Sequence, residues 1–67
     1  MHFVAFIEFE EAYKDRLPNK SVTCICKMDG ITDESLGKKW LEQVYGGIAK
    51  EITMCDETGK EIPCNVK

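Results

Sequence analysis

A chain of 67 residues with 43% hydrophobic and 31% charged residues has the composition of a folded protein, and we expect a single domain, 1–67, with a thin core. Its net charge of −3 and its scattered lysines argue against direct binding of DNA or RNA. The longest apolar run, 3–7, is far shorter than the roughly 20 residues of a membrane-spanning helix and lacks the flanks of a signal peptide, so we expect a soluble, cytoplasmic protein.

The first part of the chain predicts two strands joined by a polar connection. Residues 2–9 are rich in aromatic and β-branched side chains and are apolar on both faces, which is typical of a strand with neighbours on both sides. Residues 10–20 are polar and contain the turn signal Pro18-Asn19. In residues 21–28, apolar side chains occupy every second position, which predicts a second strand. One side of that strand carries Val22, Cys24, Cys26 and Met28.

Residues 33–45 predict an amphipathic helix. Thr32 is expected to cap its N-terminus, and Gly46 and Gly47 are expected to end it in the left-handed conformation. Gly37 lies on the apolar side, where a missing side chain lets a helix approach a sheet closely. The expected buried residues of the helix are Leu36, Trp40, Leu41 and Val44. Their expected contacts in the sheet are Phe3, Ala5, Ile7, Val22, Cys24, Ile52, Ile62 and Cys64.

The last part of the chain predicts a β-hairpin, with strands at 48–55 and 61–66. A three-residue loop, 57–59, is favoured over a two-residue one because it sets Met54 opposite Ile62, apolar against apolar. A slip of one residue would move the whole strand to the wrong face.

These elements predict an α+β fold. We expect a single small β-β-α-β-β domain, with a four-stranded antiparallel sheet and one helix packed on one face of the sheet. The first strand is the most apolar and is therefore expected in the interior of the sheet, which gives the strand order 2-1-3-4.

Four cysteines raise the question of a metal or redox site. Cys24 and Cys26 share one face of a strand, where their Cβ atoms lie about 6.5–7 Å apart, too far for a disulfide. Cys55 and Cys64 are expected on opposite faces of the sheet, so the four thiols do not converge on one zinc ion. We expect no metal and no other cofactor, and we expect Cys24, Cys26 and Cys64 to be small core residues. A cysteine metal-binding module is an alternative.

The sequence contains no clear pattern of catalytic residues. His2 is the only histidine, it lies at a chain end, and nothing around it indicates a nucleophile-histidine pair. No glycine-rich phosphate loop is present. We therefore expect no enzymatic activity and a role in binding protein.

The layout of residues 20–55 is similar to that of small phage proteins, in which a strand is followed by an acidic-capped helix with a Tyr-Gly stop and then by a strand rich in Ile and Thr. The small phage inhibitor of bacterial RNA polymerase and several anti-CRISPR proteins resemble it in this outline. The resemblance implies a phage-derived, anti-CRISPR-type inhibitor that blocks a surface of a bacterial protein or ribonucleoprotein complex in the cytoplasm of the host. The alternative is a small homodimeric structural or regulatory protein.

We expect the partner-binding surface on the sheet face away from the helix. If the first strand turns Phe3, Ala5 and Ile7 inward, it turns Val4 and Phe6 outward, with Phe6 as the anchor. Self-association through this surface is nearly as strong an expectation as a foreign partner. The expected contact residues are Val4, Phe6, Ile25, Lys27, Glu51 and Thr53.

Overall fold

The computed structural model describes residues 2–17 and 20–67 and confirms the predicted α+β fold. The strands are β1 (Phe3–Phe9), β2 (Thr23–Met28), β3 (Ala49–Cys55) and β4 (Glu61–Cys64), and the helix α1 spans Glu34–Tyr45. The connection after β1 contains a short 3₁₀ helix, Glu11–Arg16, which the sequence did not predict. The predicted turn at Pro18-Asn19 lies outside the described residues.

The four strands form one antiparallel sheet in the order β2-β1-β3-β4, as predicted. The predicted hairpin register is also confirmed, because Met54 pairs with Ile62 and Ile52 pairs with Cys64. Gly59 occupies the turn with a φ of +87°, a conformation that glycine adopts without steric cost. In this order β1 is an interior strand, and among the described residues no strand pairs with the outer edge of β2 or of β4, which we call the two free edges.

The core lies between α1 and one face of this sheet. The predicted inward face of β1 is confirmed, since Phe3, Ala5 and Ile7 are almost completely buried. The other buried hydrophobic residues are Phe9, Met28, Leu41, Ala49, Ile52, Met54 and Ile62.

The predicted buried face of α1 is wrong for all but Leu41. Leu36, Trp40 and Val44 are 63%, 41% and 48% exposed, whereas Leu41 and Gly37 are buried. Gly37 explains the difference, because its missing side chain lets that side of the helix lie directly on the sheet. The buried face is thus turned by about 100°, one residue along the helix, from the predicted one.

Both predicted ends of α1 also need correction. Asp33, not Thr32, caps the N-terminus, where its carboxylate accepts a hydrogen bond from the Ser35 N–H at 2.8 Å. Gly46 keeps a right-handed conformation, with a φ of −57°. The Lys67 N–H donates to the Gly46 carbonyl at 2.7 Å, so a residue that follows β4 satisfies one backbone acceptor at the end of the helix.

Candidate interaction surfaces

The uncovered sheet face brings together all six residues predicted to bind a partner: Val4, Phe6, Ile25, Lys27, Glu51 and Thr53. We call them the outer patch. Phe6 lies at its centre, directly opposite Ile25 on β2 and Thr53 on β3. Phe6 is 44% exposed and Ile25 is 62% exposed, so the middle of the patch is apolar and accessible. Val4 and Thr53 are half-buried beside them.

Charged side chains border the outer patch unevenly. Glu8 and Glu51 stand directly opposite each other on β1 and β3, which places two like charges side by side at one end of the patch. Lys27 stands opposite Val4 at the other end. The patch therefore presents an apolar centre with an acidic end and a basic corner, the arrangement of an apolar core and polar rim that protein interfaces use.

A second apolar surface lies on α1, and sequence reasoning missed it. Leu36, Trp40 and Val44 follow one another at every fourth position and are all exposed; we call them the helix stripe. Beside them, an open groove of about 560 Å³ runs between α1 and the segment before it, with Ile31, Leu36, Lys39 and Trp40 among its walls. The signal that could have revealed this surface is Gly37. A glycine indicates where a helix approaches the sheet closely, and the Gly37 side of α1 is not the side that carries Leu36, Trp40 and Val44.

Aromatic contacts hold Trp40 in place. Its ring meets that of Tyr45 edge-on, with centroids 6.0 Å apart, and Tyr45 meets the buried Phe9 in the same way at 5.9 Å. Such edge-to-face pairs are a favoured aromatic geometry. Trp40 is thus attached to the core through Tyr45 while part of its indole remains accessible to a partner.

The cysteines do not occupy the core as predicted. Cys24 is exposed, and Cys26 and Cys64 are only half-buried. The reason is the position of α1, which packs mainly against β3 and β4 and leaves the Cys24 part of this face of β2 uncovered. Among the described residues, no group of three or more His, Cys, Asp or Glu side chains is placed to hold a metal ion.

Burial affects the acidity of two of these thiols. Burial is the main cause that raises the pKa of Cys26, and the nearby Cys24 raises it further. A hydrogen bond with Tyr45 acts in the opposite direction and lowers this pKa. Burial likewise raises the pKa of Cys64, with a further contribution from the charge of Glu42. At neutral pH, a smaller fraction of each of these thiols is therefore deprotonated than of a free cysteine.

No family model matches this chain, and no curated protein or solved structure shows significant similarity to it. None of the helices in the described part of the chain is long and apolar enough to cross a membrane. Function must therefore be inferred from the two exposed apolar surfaces.

Proposed function

We propose that this protein is a non-catalytic binding module that docks a partner protein along the helix stripe. The observation that carries the proposal is the exposure of Leu36, Trp40 and Val44 on one side of a single helix. Contiguous apolar surface is costly in water, and a small domain that keeps it exposed commonly uses it to bind. Trp40 provides a natural anchor, because tryptophan is enriched among the residues that dominate binding energy.

The shape of the site favours a protein partner over a small molecule. The groove beside the helix stripe is open along its length, and its walls combine Leu36 and Trp40 with the cationic Lys39. An apolar segment carrying a carboxylate fits these walls, with its apolar side chains on Leu36 and Trp40 and its carboxylate beside Lys39. Small-molecule sites, by contrast, enclose most of the surface of their ligand.

The narrower proposal is that the partner is a bacterial protein complex and that binding inhibits it, as an anti-CRISPR-type phage protein would. It is supported by the layout of the sequence between residues 20 and 55. The outer patch is a second candidate surface for the same partner, since it lies on the opposite side of the sheet from α1 and can be occupied independently.

A binding experiment with matched variants tests the helix stripe. Affinity-tagged wild type, Trp40→Ala and Trp40→Phe are incubated with bacterial lysate, and the retained proteins are identified by mass spectrometry. We expect a specific partner on the wild type, its loss on Trp40→Ala and its retention on Trp40→Phe, which keeps an aromatic anchor. A folded Trp40→Ala variant that retains everything the wild type retains would refute the role of the helix stripe.

The inhibitory role needs a separate measurement. The activity of the isolated partner complex is assayed as wild type or Trp40→Ala is added at increasing ratio. An inhibitor lowers that activity to a floor at stoichiometric addition, and Trp40→Ala leaves it unchanged. Stoichiometric binding with full activity of the complex would support a binding module and refute inhibition.

A further inference from the structure

The two free edges of the sheet differ in their capacity to pair with another strand. β4 contains Pro63, which has no backbone N–H and faces its free edge. β2 (Thr23–Met28) contains no proline, and Lys27 is its only charged residue. Proteins commonly protect exposed edges with proline or charge, so β4, with Glu61 and Pro63, is the better protected edge, and β2, with a single lysine, is the more open to strand addition.

The hydrogen-bond pattern shows which residues of β2 face this open edge. The Phe9 N–H donates to the Val22 carbonyl at 2.6 Å, which makes Phe9 and Val22 a hydrogen-bonded pair. Along an antiparallel ladder, hydrogen-bonded pairs alternate with non-hydrogen-bonded pairs. Cys24 and Cys26 therefore direct their backbone groups towards β1. The backbone groups of Thr23, Ile25 and Lys27 point outward.

The contacts that these outward groups make with other described residues are long and weak. The N–H and carbonyl of Thr23 contact the Ser21 hydroxyl at 3.3 Å. The carbonyls of Ile25 and Lys27 contact the thiols of Cys24 and Cys26 at 3.9 Å. A paired strand would replace them with backbone hydrogen bonds near 2.9 Å, the usual N–H···O distance.

We propose that β2 pairs antiparallel with β2 of a second copy about a two-fold axis at Ile25, joining the two four-stranded sheets into one continuous sheet. Ile25 then faces Ile25 of the second copy, and Thr23 faces Lys27 of the second copy. This register makes every outward residue of the strand part of a hydrogen-bonded pair, and each such pair exchanges both of its backbone bonds.

Charge complementarity favours a second copy as the occupant. Glu8 and Glu51 stand side by side on the outer face, and Thr23 is the β2 neighbour of Glu8. The proposed register places Lys27 of the second copy directly beyond Thr23, on the same face. Each copy thereby brings a cation to the acidic end of the other, while the exposed Ile25 side chains cover one another.

The proposed pairing does not use the helix stripe, so this inference and the proposed function can fail separately. A contact of one strand per copy buries less than the roughly 1,200 Å² of a standard interface. We therefore expect a weak dimer, with a dissociation constant in the micromolar range, as is common for small interfaces.

The positions of Cys24 and Cys26 make the register testable. In the proposed dimer, Cys24 faces Cys26 of the second copy in a non-hydrogen-bonded pair with Cα atoms about 4.5 Å apart, which is within disulfide range. Two Cys24 residues, or two Cys26 residues, are instead offset by about 7 Å along the strands. Only unlike cysteines can therefore be joined.

The decisive experiment uses two variants that lack Cys55 and Cys64: one also carries Cys24→Ser and the other Cys26→Ser. Oxidised glutathione is added to three samples: each variant by itself, and an equal mixture of the two variants. The new bond between the two chains forms as their thiols lose two protons and two electrons and glutathione disulfide is reduced to two thiols. We expect a mixed disulfide in the combined sample, at least about tenfold faster than disulfide formation in either variant alone. Equal rates in all three samples would overturn the proposal.

Sedimentation of the reduced protein provides an independent test. Ile25→Pro removes an outward N–H without removing a hydrogen bond to β1, and Ile25→Val is the matched control that keeps this N–H. We expect Ile25→Pro to raise the dissociation constant by about tenfold or more, from the loss of two symmetric hydrogen bonds. A wild type that is monomeric at about 1 mM would also overturn the proposal, since dimers of micromolar affinity are saturated there.

Discussion

Met54 lies directly beneath Gly37: a β-carbon built on Gly37 would stand 3.1 Å from the Sδ atom of Met54. The same β-carbon would stand 3.3 Å from side-chain carbons of Met28 and Ile31. These distances are shorter than ordinary van der Waals contact between carbon atoms. This close approach determines which side of α1 faces the sheet, and it leaves the helix stripe in solvent.

Enlarging Gly37 should therefore separate the helix from the sheet. We expect Gly37→Leu to lower the free energy of unfolding by about 1–3 kcal/mol or more, as overpacking of a filled core does. Gly47→Leu is the matched control, because a β-carbon there meets no atom within 4 Å. The measurement is urea denaturation of the three proteins. Equal stability of Gly37→Leu and the wild type would show that α1 does not lie this close to β3.

Two neighbouring residues of α1 should respond differently to truncation. Leu41 is completely buried, so Leu41→Ala should lower the free energy of unfolding by about 2–5 kcal/mol. Trp40 is partly exposed, so Trp40→Ala should cost only about 1–2 kcal/mol, in proportion to the area it buries. Thermal melting followed by circular dichroism distinguishes the two. A larger loss for Trp40→Ala would restore the sequence-based prediction that Trp40 is a core residue.

The strand order and the hairpin register could be predicted because both follow from the pattern of apolar side chains in the individual strands. β1 is apolar on both faces, which indicates an interior strand, and side-chain parity allows one register that sets Met54 opposite Ile62. The same parity predicted that Phe6 and Ile25 share the outer face. These inferences need no knowledge of how the helix packs on the sheet.

The rotation of α1 could not be predicted because it depends on packing between elements. Leu36, Trp40 and Val44 form a more apolar row than Gly37, Leu41 and Tyr45, and apolarity alone selects the first row. Close packing selects the row with Gly37, Leu41 and Tyr45, since the missing side chain of Gly37 allows the helix to contact Met54. The exposure of Cys24 has a similar origin, because strand alternation indicates the face of a residue but not how far a single helix extends over that face.

The exposure of the cysteines predicts an order of chemical reactivity. We expect iodoacetamide at low protein concentration to modify Cys24 first. Cys26 and Cys64 should react more slowly, because both are half-buried and burial raises the pKa of each thiol. Peptide mass spectrometry at successive times gives the rates. If Cys26 reacted as fast as Cys24, its burial would not protect the thiol.

Asp56 should make the hairpin sensitive to acid. One of its carboxylate oxygens accepts bonds from the Thr58 hydroxyl at 2.7 Å, the Thr58 N–H at 2.9 Å and the Lys60 N–H at 3.0 Å. The pKa of Asp56 is lowered, first by the bond from the Thr58 hydroxyl and then by the backbone bonds. A carboxyl with a lowered folded-state pKa stabilises the fold above its unfolded value, 3.8, and loses this contribution as the pH falls through the folded-state value.

The corresponding variant is Asp56→Asn, which keeps the acceptor oxygen and removes the charge. We expect it to be less stable than the wild type at pH 7, with the difference shrinking below pH 3.8. Asp15→Asn, at an exposed position on the 3₁₀ helix, is the control. Unfolding is measured by urea denaturation at several pH values. A stability difference between wild type and Asp56→Asn that does not change with pH would show that the charge of Asp56 does not stabilise the turn.

The outer patch gives the last prediction. Phe6 has Ile25 on one side and Thr53 on the other, and its ring is partly exposed between them. We expect Phe6→Ala to keep the fold and to lose any partner held by this face, because a central aromatic side chain contributes most to such an interface. Ile25→Asp should have the same effect, since it places a charge at the apolar centre.

The helix-stripe variant Trp40→Ala serves as the control for Phe6→Ala, because the two residues lie on opposite sides of the sheet. A partner lost on Phe6→Ala and kept on Trp40→Ala is bound at the outer patch, and the reverse result assigns it to the helix stripe. Loss on both variants, with both folded by circular dichroism, indicates a partner that contacts both faces. If both Phe6→Ala and Ile25→Asp stay folded and bind everything the wild type binds, the outer patch is not an interface, and its apolar centre requires another explanation.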